Sequence, residues 1–177
     1  AAILGLKDED VRAICAQASQ RQLGVVEAVN FNAPTQTVIA GTATAVAAAC
    51  QLAKEQGAKR ALILPVSAPF HSSLLTSAGA RLRERLADVT CLPPTIAVIN
   101  NVDVKIEHHA EAIKDALVRQ ASAPVRWVET IQAMEAAGIT HIIECGPGKV
   151  LTGLTKQIAP NIVNANITDP NSLTHAL

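Results

Sequence analysis

"VVEAVNFNAPTQTVIAG" occupies Val25–Gly41, and its reading decides the fold. The β-branched runs VVEAVNF and TVIAG flank NAPTQ, which is turn chemistry, so the stretch reads as strand, turn, strand. A helix is expected on each side. Upstream, "DEDVRAICAQAS" places Val11, Ile14, Cys15 and Ala18 at i, i+3, i+4 and i+7, a helical stripe behind acidic first-turn residues. Downstream, "TATAVAAACQLAKEQG" is an alanine-rich helix that Gly57 can close in a left-handed cap. "AAILGL" and "KRALILPV" supply the outer strands. The order through Val66 is then β-α-β-β-α-β, the split-βαβ, ferredoxin-like pattern.

Past Pro69 the texture changes. "SSLLTSAGARLRERLADV" reads as a helix, with Leu74, Leu75, Leu82 and Leu86 forming much of its apolar side. "CLPPTIAVINN" reads as extended, and "HAEAIKDALVRQ" and "PVRWVETIQAMEAAG" read as helices, the latter opened by Pro124 and closed by Gly138. "THIIECGPGKVLTGLTKQI" is strand, glycine-proline turn and helix, and "NIVNANI" is a last strand. Strands alternating with helices argue an α/β layered sheet. The expected organisation is a small ferredoxin-like subdomain over residues 1–66 and the remainder of an α/β domain over residues 67–177.

Composition narrows the function. The chain has 177 residues, 49% hydrophobic, with 15 basic and 15 acidic side chains. The basic residues are scattered, which argues against nucleic acid. No apolar run is long enough to span a bilayer, and "AAILGLKDED" is unlike a signal peptide, so no membrane role is expected. Without an initiator methionine, the chain is expected to be a fragment. Cys15, Cys50, Cys91 and Cys145 are far apart and form no CxxC pair, so we expect no metal and reduced, mostly buried thiols, as in a cytoplasmic protein.

Four stretches could carry chemistry. In "SAPFHSS" (Ser67–Ser73), His71 follows a strand and a proline, where a fixed imidazole can take a proton. An ordinary turn histidine fits equally. "ECGPGKVLTG" can offer backbone N–H groups to an anion, but it lacks P-loop spacing and also reads as a tight turn. "NNVDVK" and "VNFNAPTQ" place side-chain amides beyond strands, which is also common turn vocabulary. No serine is flanked by glycines as in GxSxG, so a base is present without an evident nucleophile.

Together, "VNFNAPTQTVIAG", "LPVSAPFHS", "INNVDVK", "LVRQASAPVRW" and "ECGPGKVLTGLTK" resemble, in order, the later part of the malonyl-CoA:acyl-carrier-protein transacylase family of bacterial fatty-acid synthesis. The resemblance runs from about Ala1 to Asn166. It implies an α/β-hydrolase-like core with a ferredoxin-like insert, and ping-pong malonyl transfer from CoA to the phosphopantetheine thiol of acyl-carrier protein, with no cofactor. By the same resemblance His71 is the catalytic histidine, and the main-chain carbonyl of Gln120 orients it. Asn30 and Asn32 lie near the acyl or pantetheine path. Phe70, immediately before the histidine, accompanies malonyl rather than methyl-branched units, by crowding the α-carbon.

The family's serine elbow, oxyanion loop and carboxylate-binding arginine precede this stretch. Arg21, Arg60, Arg81, Arg83, Arg85, Arg119 and Arg126 all fall outside that arginine's context. A second polypeptide carrying the nucleophile, or a dimer, is therefore expected, and the chain alone is expected to be inactive. Two other readings stay open. One is a non-catalytic module, derived from an acyltransferase, that binds a carrier protein or stabilises an assembly. The other is a hydrolase pairing His71 with Ser72, Ser73 or Cys145.

Overall fold

A computed structural model describes residues 1–176, with side chains through Thr174. The chain divides into two units, Ala1–Trp127 and Val128–Leu177.

The first unit opens with β1 (Ala2–Leu4), α1 (Asp8–Gln20), β2 (Val26–Ala33), β3 (Gln36–Gly41), α2 (Ala43–Glu55) and β4 (Arg60–Leu62). The strands form one antiparallel sheet in the order β2-β3-β1-β4, the ferredoxin-like arrangement expected from the sequence. The apolar stripe of α1 is buried as its spacing requires: Val11, Ile14, Cys15 and Ala18 pack with Ile3, Phe31 and Ile39 of the sheet. Ala45, Ala49 and Ala53 complete that core from α2.

Two boundaries differ from expectation. β4 stops at Leu62 instead of running through KRALILPV, because Leu62 pairs with Ala2, the first residue of β1, and the ladder ends there. Ile63 and Val66 continue into solvent. The β2–β3 turn is also tighter than NAPTQ. Only Pro34 and Thr35 lie between the strands, and bulges between Ala28 and Asn30 and between Phe31 and Ala33 absorb the extra length.

The unit continues with a 3₁₀ turn at Ser73–Leu75, α3 (Thr76–Ala87), the two-residue strands β5 (Ile99–Asn100) and β6 (Lys105–Ile106), and α4 (Ala110–Gln120). The leucines expected to bury α3 are only partly covered. Its buried residue is Gly79, where an added Cβ would stand 3.2 Å from the Val118 carbonyl, so the two backbones approach closely. Little of CLPPTIAVINN is strand, since only Ile99 and Asn100 find partners. The next helix, α5 (Trp127–Ala136), starts later than Pro124. The reason is local: Val125 is drawn into the sheet edge. Its N–H donates to the Val29 carbonyl (2.8 Å), and its carbonyl accepts from Phe31 N–H (3.0 Å).

The second unit holds a parallel β-α-β crossover: β7 (His141–Cys145), α6 (Val150–Ile158) and β8 (Val163–Ile167). α7 (Pro170–Ala176) was not anticipated. Its signal is legible in retrospect, with Pro170 opening the helix and Asp169 accepting from Ser172 N–H at 2.8 Å. No helix among the described residues is long and apolar enough to cross a membrane.

Candidate active site

His71 sits in a turn held from three sides. Ser72 Oγ is buried and donates to the Pro69 carbonyl (2.7 Å), and Ser72 N–H reaches the same oxygen. Ser73 N–H, at the start of the 3₁₀ turn, donates to Glu27 Oε2 on β2 (2.7 Å). His71 itself has φ +62°, a left-handed conformation uncommon for residues other than glycine. The turn therefore sets the direction of the imidazole at some local cost in backbone strain.

The ring is fixed by α4. His71 Nδ1 lies 2.9 Å from the Gln120 carbonyl oxygen. That carbonyl belongs to the last residue of α4, where helix geometry leaves acceptors without intrahelical donors. A carbonyl only accepts, so Nδ1 must carry the proton. In the neutral ring Nε2 then keeps its lone pair and can act as a base. A backbone acceptor so placed can fix the tautomer as an aspartate does in a Ser-His-Asp triad, which is the role the resemblance implies for Gln120.

Gln120 is itself braced. Its side-chain Nε2 donates to the Ala123 and Pro124 carbonyls (3.1 and 3.4 Å), folding the chain back after α4. Next to it, Arg119 forks onto Asp103 through Nη1 and Nη2 (2.7 and 2.6 Å), and its Nε reaches Asp115 (2.6 Å). Asp103 belongs to the NNVDVK stretch, so that motif anchors the helix end that carries the Gln120 carbonyl. The guanidinium hydrogen bonds hold both the Asp103 and Asp115 carboxyls below the usual aspartate range. Residue-by-residue reading missed Glu27 and Asp103. Charged residues on a strand and in a loop carry no local signal of what they will grip.

His71 opens onto a cleft of about 470 Å³, shared with Arg12, Cys15, Ser19, Glu27, Ser73 and Ser122 among others. Arg12 is held with its guanidinium 4.0 Å from the Phe31 ring centroid. Cys15 is buried, and burial is the main cause that pushes its thiol up to about 12, so it is no nucleophile. Asn30 and Asn32 are half-buried on β2 and are not among the cleft's walls. Phe70, beside the histidine, is 51% exposed and likewise not among the cleft's walls. Gln120 also borders a largely apolar hollow of about 380 Å³ with Leu92, Pro94, Val98, Ile113 and Leu117.

The remaining candidates resolve differently. Ser72 is buried with its hydroxyl engaged, which removes it as a nucleophile. In the second unit the GPGK turn does not wait for an anion, because Glu144 already fills the α6 N-terminus. Its carboxylate accepts from the N–H groups of Leu151 and Thr152 and from the Thr152 hydroxyl (3.2, 2.8 and 2.6 Å). Those bonds hold the Glu144 carboxyl below its usual range. Asn166 Nδ2 ties down the same turn through the Gly148 carbonyl (2.7 Å). Cys15 and Cys50 are buried, Cys91 is half-buried and Cys145 is exposed, and all four are free thiols. Among the described residues, no group of three or more His, Cys, Asp or Glu is placed to hold a metal.

No family model matches the chain. The malonyl CoA-acyl carrier protein transacylase of Escherichia coli (strain K12) is 48% identical over 177 residues, all of this chain and 57% of that protein. An acyl-carrier-protein S-malonyltransferase from Burkholderia pseudomallei 1710b superposes with TM-score 0.96 at 62% identity, over 99% of this chain and 56% of that one. A malonyl-transacylase solved in complex with its type II polyketide acyl-carrier protein superposes equally well, TM-score 0.96, at 45% identity over 99% of this chain and 56% of its own. The chain thus spans just over half the length of the relatives it matches, and over that whole span it is homologous to the malonyl CoA-acyl carrier protein transacylases.

Proposed function

We propose that this chain forms the histidine-bearing part of an enzyme that moves malonyl from CoA to the phosphopantetheine thiol of an acyl-carrier protein. The observation that carries the proposal is His71 Nδ1 against the Gln120 carbonyl, which leaves Nε2 free as base. In the first half-reaction Nε2 takes the hydroxyl proton of a serine as the serine attacks the thioester carbonyl. Nε2–H then returns the proton to the departing CoA sulfur. In the second half-reaction Nε2 takes the proton of the carrier thiol, which attacks the malonyl-serine ester, and the serine oxygen leaves with that proton. Serine and carboxylate-binding arginine belong to a complementary polypeptide portion. Residues 1–66 form the ferredoxin-like subdomain and residues 67–177 the C-terminal part of the acyltransferase core, and the setting is the cytoplasm.

Exposed apolar surface in each unit supports a complementary portion. Ile63, Val66, Leu92, Ile96 and Val98 are each at least 60% exposed in the first unit. In the second, the pair β7–β8 is parallel, an arrangement that is normally buried in a larger sheet, yet Ile143 and Val163 face solvent.

Intact mass spectrometry before and after adding malonyl-CoA tests the proposal. A second polypeptide that gains a malonyl group is the expected outcome where both portions are present. The isolated 177-residue chain should stay unmodified and transfer nothing. Malonyl transfer by the isolated chain would overturn the division of residues, whereas carrier-protein binding without transfer by the two portions together would favour a non-catalytic module.

A further inference from the structure

We infer that Glu27 is a positioning residue for His71, acting through the backbone of the turn that carries the ring. This rests on the reading of His71 as the base. The two residues stand on different elements and line the same cleft. Their link is the 2.7 Å hydrogen bond from Ser73 N–H to Glu27 Oε2.

The local geometry gives that bond its weight. His71 holds φ +62°, which an L-residue leaves readily unless its neighbours forbid it. Upstream, the turn is closed by Ser72 on the Pro69 carbonyl. Downstream, Leu75 N–H returns to the Ser72 carbonyl (3.0 Å), and Thr76 Oγ1 donates to the Ser73 carbonyl (2.6 Å). These bonds are all internal to the turn, and α3, which follows it directly, packs on α4 through Gly79. Glu27 ties the turn to the rigid sheet, and Gln120 meets the ring from α4. A bond from a backbone N–H to a carboxylate is among the stronger hydrogen bonds in a protein. Without it, the turn keeps its internal bonds and its junction with α3 but loses its tie to the sheet, so the imidazole can shift off the Gln120 carbonyl and the tautomer is no longer dictated.

The test reads the His71 ring nitrogens by ¹⁵N NMR in the full 177-residue chain, in the solid state where the chain self-associates, above the pH at which the ring protonates. The wild type should show a single neutral tautomer with the proton on Nδ1. Glu27→Ala should convert this to a mixture of both tautomers and speed exchange of the Ser73 amide by about ten- to a hundredfold. Glu27→Gln, whose amide oxygen still accepts, should restore the single tautomer.

Ser73→Pro removes the same bond from the donor side and leaves Glu27 intact. Proline suits the first position of a helical turn, and Ser72 already has the extended backbone (φ −105°, ψ 164°) that a residue before proline requires. It should reproduce the mixture seen with Glu27→Ala. A single Nδ1–H tautomer in either Glu27→Ala or Ser73→Pro would overturn the positioning role while leaving the reading of His71 untouched. A wild type that lacks the Nδ1–H tautomer would overturn the reading of His71 itself.

Discussion

His71 does two things at once: it accepts a strained backbone and presents one bare nitrogen. Replacing it with alanine should leave the fold intact, since the side chain is only half-buried. Under the proposed function, in an assembly that includes the proposed serine-bearing portion, the same change should lower kcat by about a hundred- to ten-thousandfold, the usual range for a lost general base. Steady-state transfer to a carrier protein checks this. Phe70 makes a separate prediction in that assembly. Phe70→Ser should raise methylmalonyl use relative to malonyl by about ten- to two-hundredfold in the ratio of kcat/KM, the range open to one methyl in a pocket. Equal ratios before and after the change would remove Phe70 from specificity. At this scale the residues alone mark His71 as a candidate, a histidine in a proline-bearing turn after a strand, but fit an ordinary turn histidine as well; the resemblance is what singles it out. The sequence was silent on Glu27 and Asp103, whose partners Ser73 and Arg119 lie in other elements and come close only on folding.

Elements show where periodicity suffices and where register decides. The α1 stripe was readable because one helical spacing named all four of its buried residues. The end of β4 was not, because it depends on the pairing with β1. Nor was the delayed start of α5, which follows from Val125 joining the edge of β2. Gly41 at the end of β3 is an element-scale constraint. A Cβ there would stand 2.0 Å from the Val25 carbonyl oxygen and 2.7 Å from the Val26 Cα, both backbone atoms. Gly41→Ala should therefore destabilise the chain by about 1–3 kcal/mol or more, measured by denaturant unfolding. The end of α4 makes a prediction in pH. Asp103 and Asp115 have folded-state values below their unfolded ones, so their contribution is present above the unfolded range near 3.8 and is lost as pH falls through the depressed folded values. Asp103→Asn should flatten the acid limb of the stability–pH curve below about pH 4 and leave stability near pH 7 only modestly reduced.

For the molecule as a whole, exposed apolar side chains set the behaviour in solution. Leu92 and Ile96 are 76% and 78% exposed, beyond what scattered surface residues need. The purified chain should self-associate at micromolar concentrations or take up the proposed complementary portion, and light scattering distinguishes these from a clean monomer. The four thiols, graded from buried to exposed, add a further property. With its value near 12, the Cys15 thiol is ionised to only about one part in ten thousand at pH 8, and alkylation requires the thiolate. Under pulsed alkylation Cys145 is thus an immediate reporter, while Cys15 becomes labelled only when the helix–sheet core around it opens. The chain carries its own clock for local unfolding, with the slow hand set in α1 beside the cleft of the candidate base.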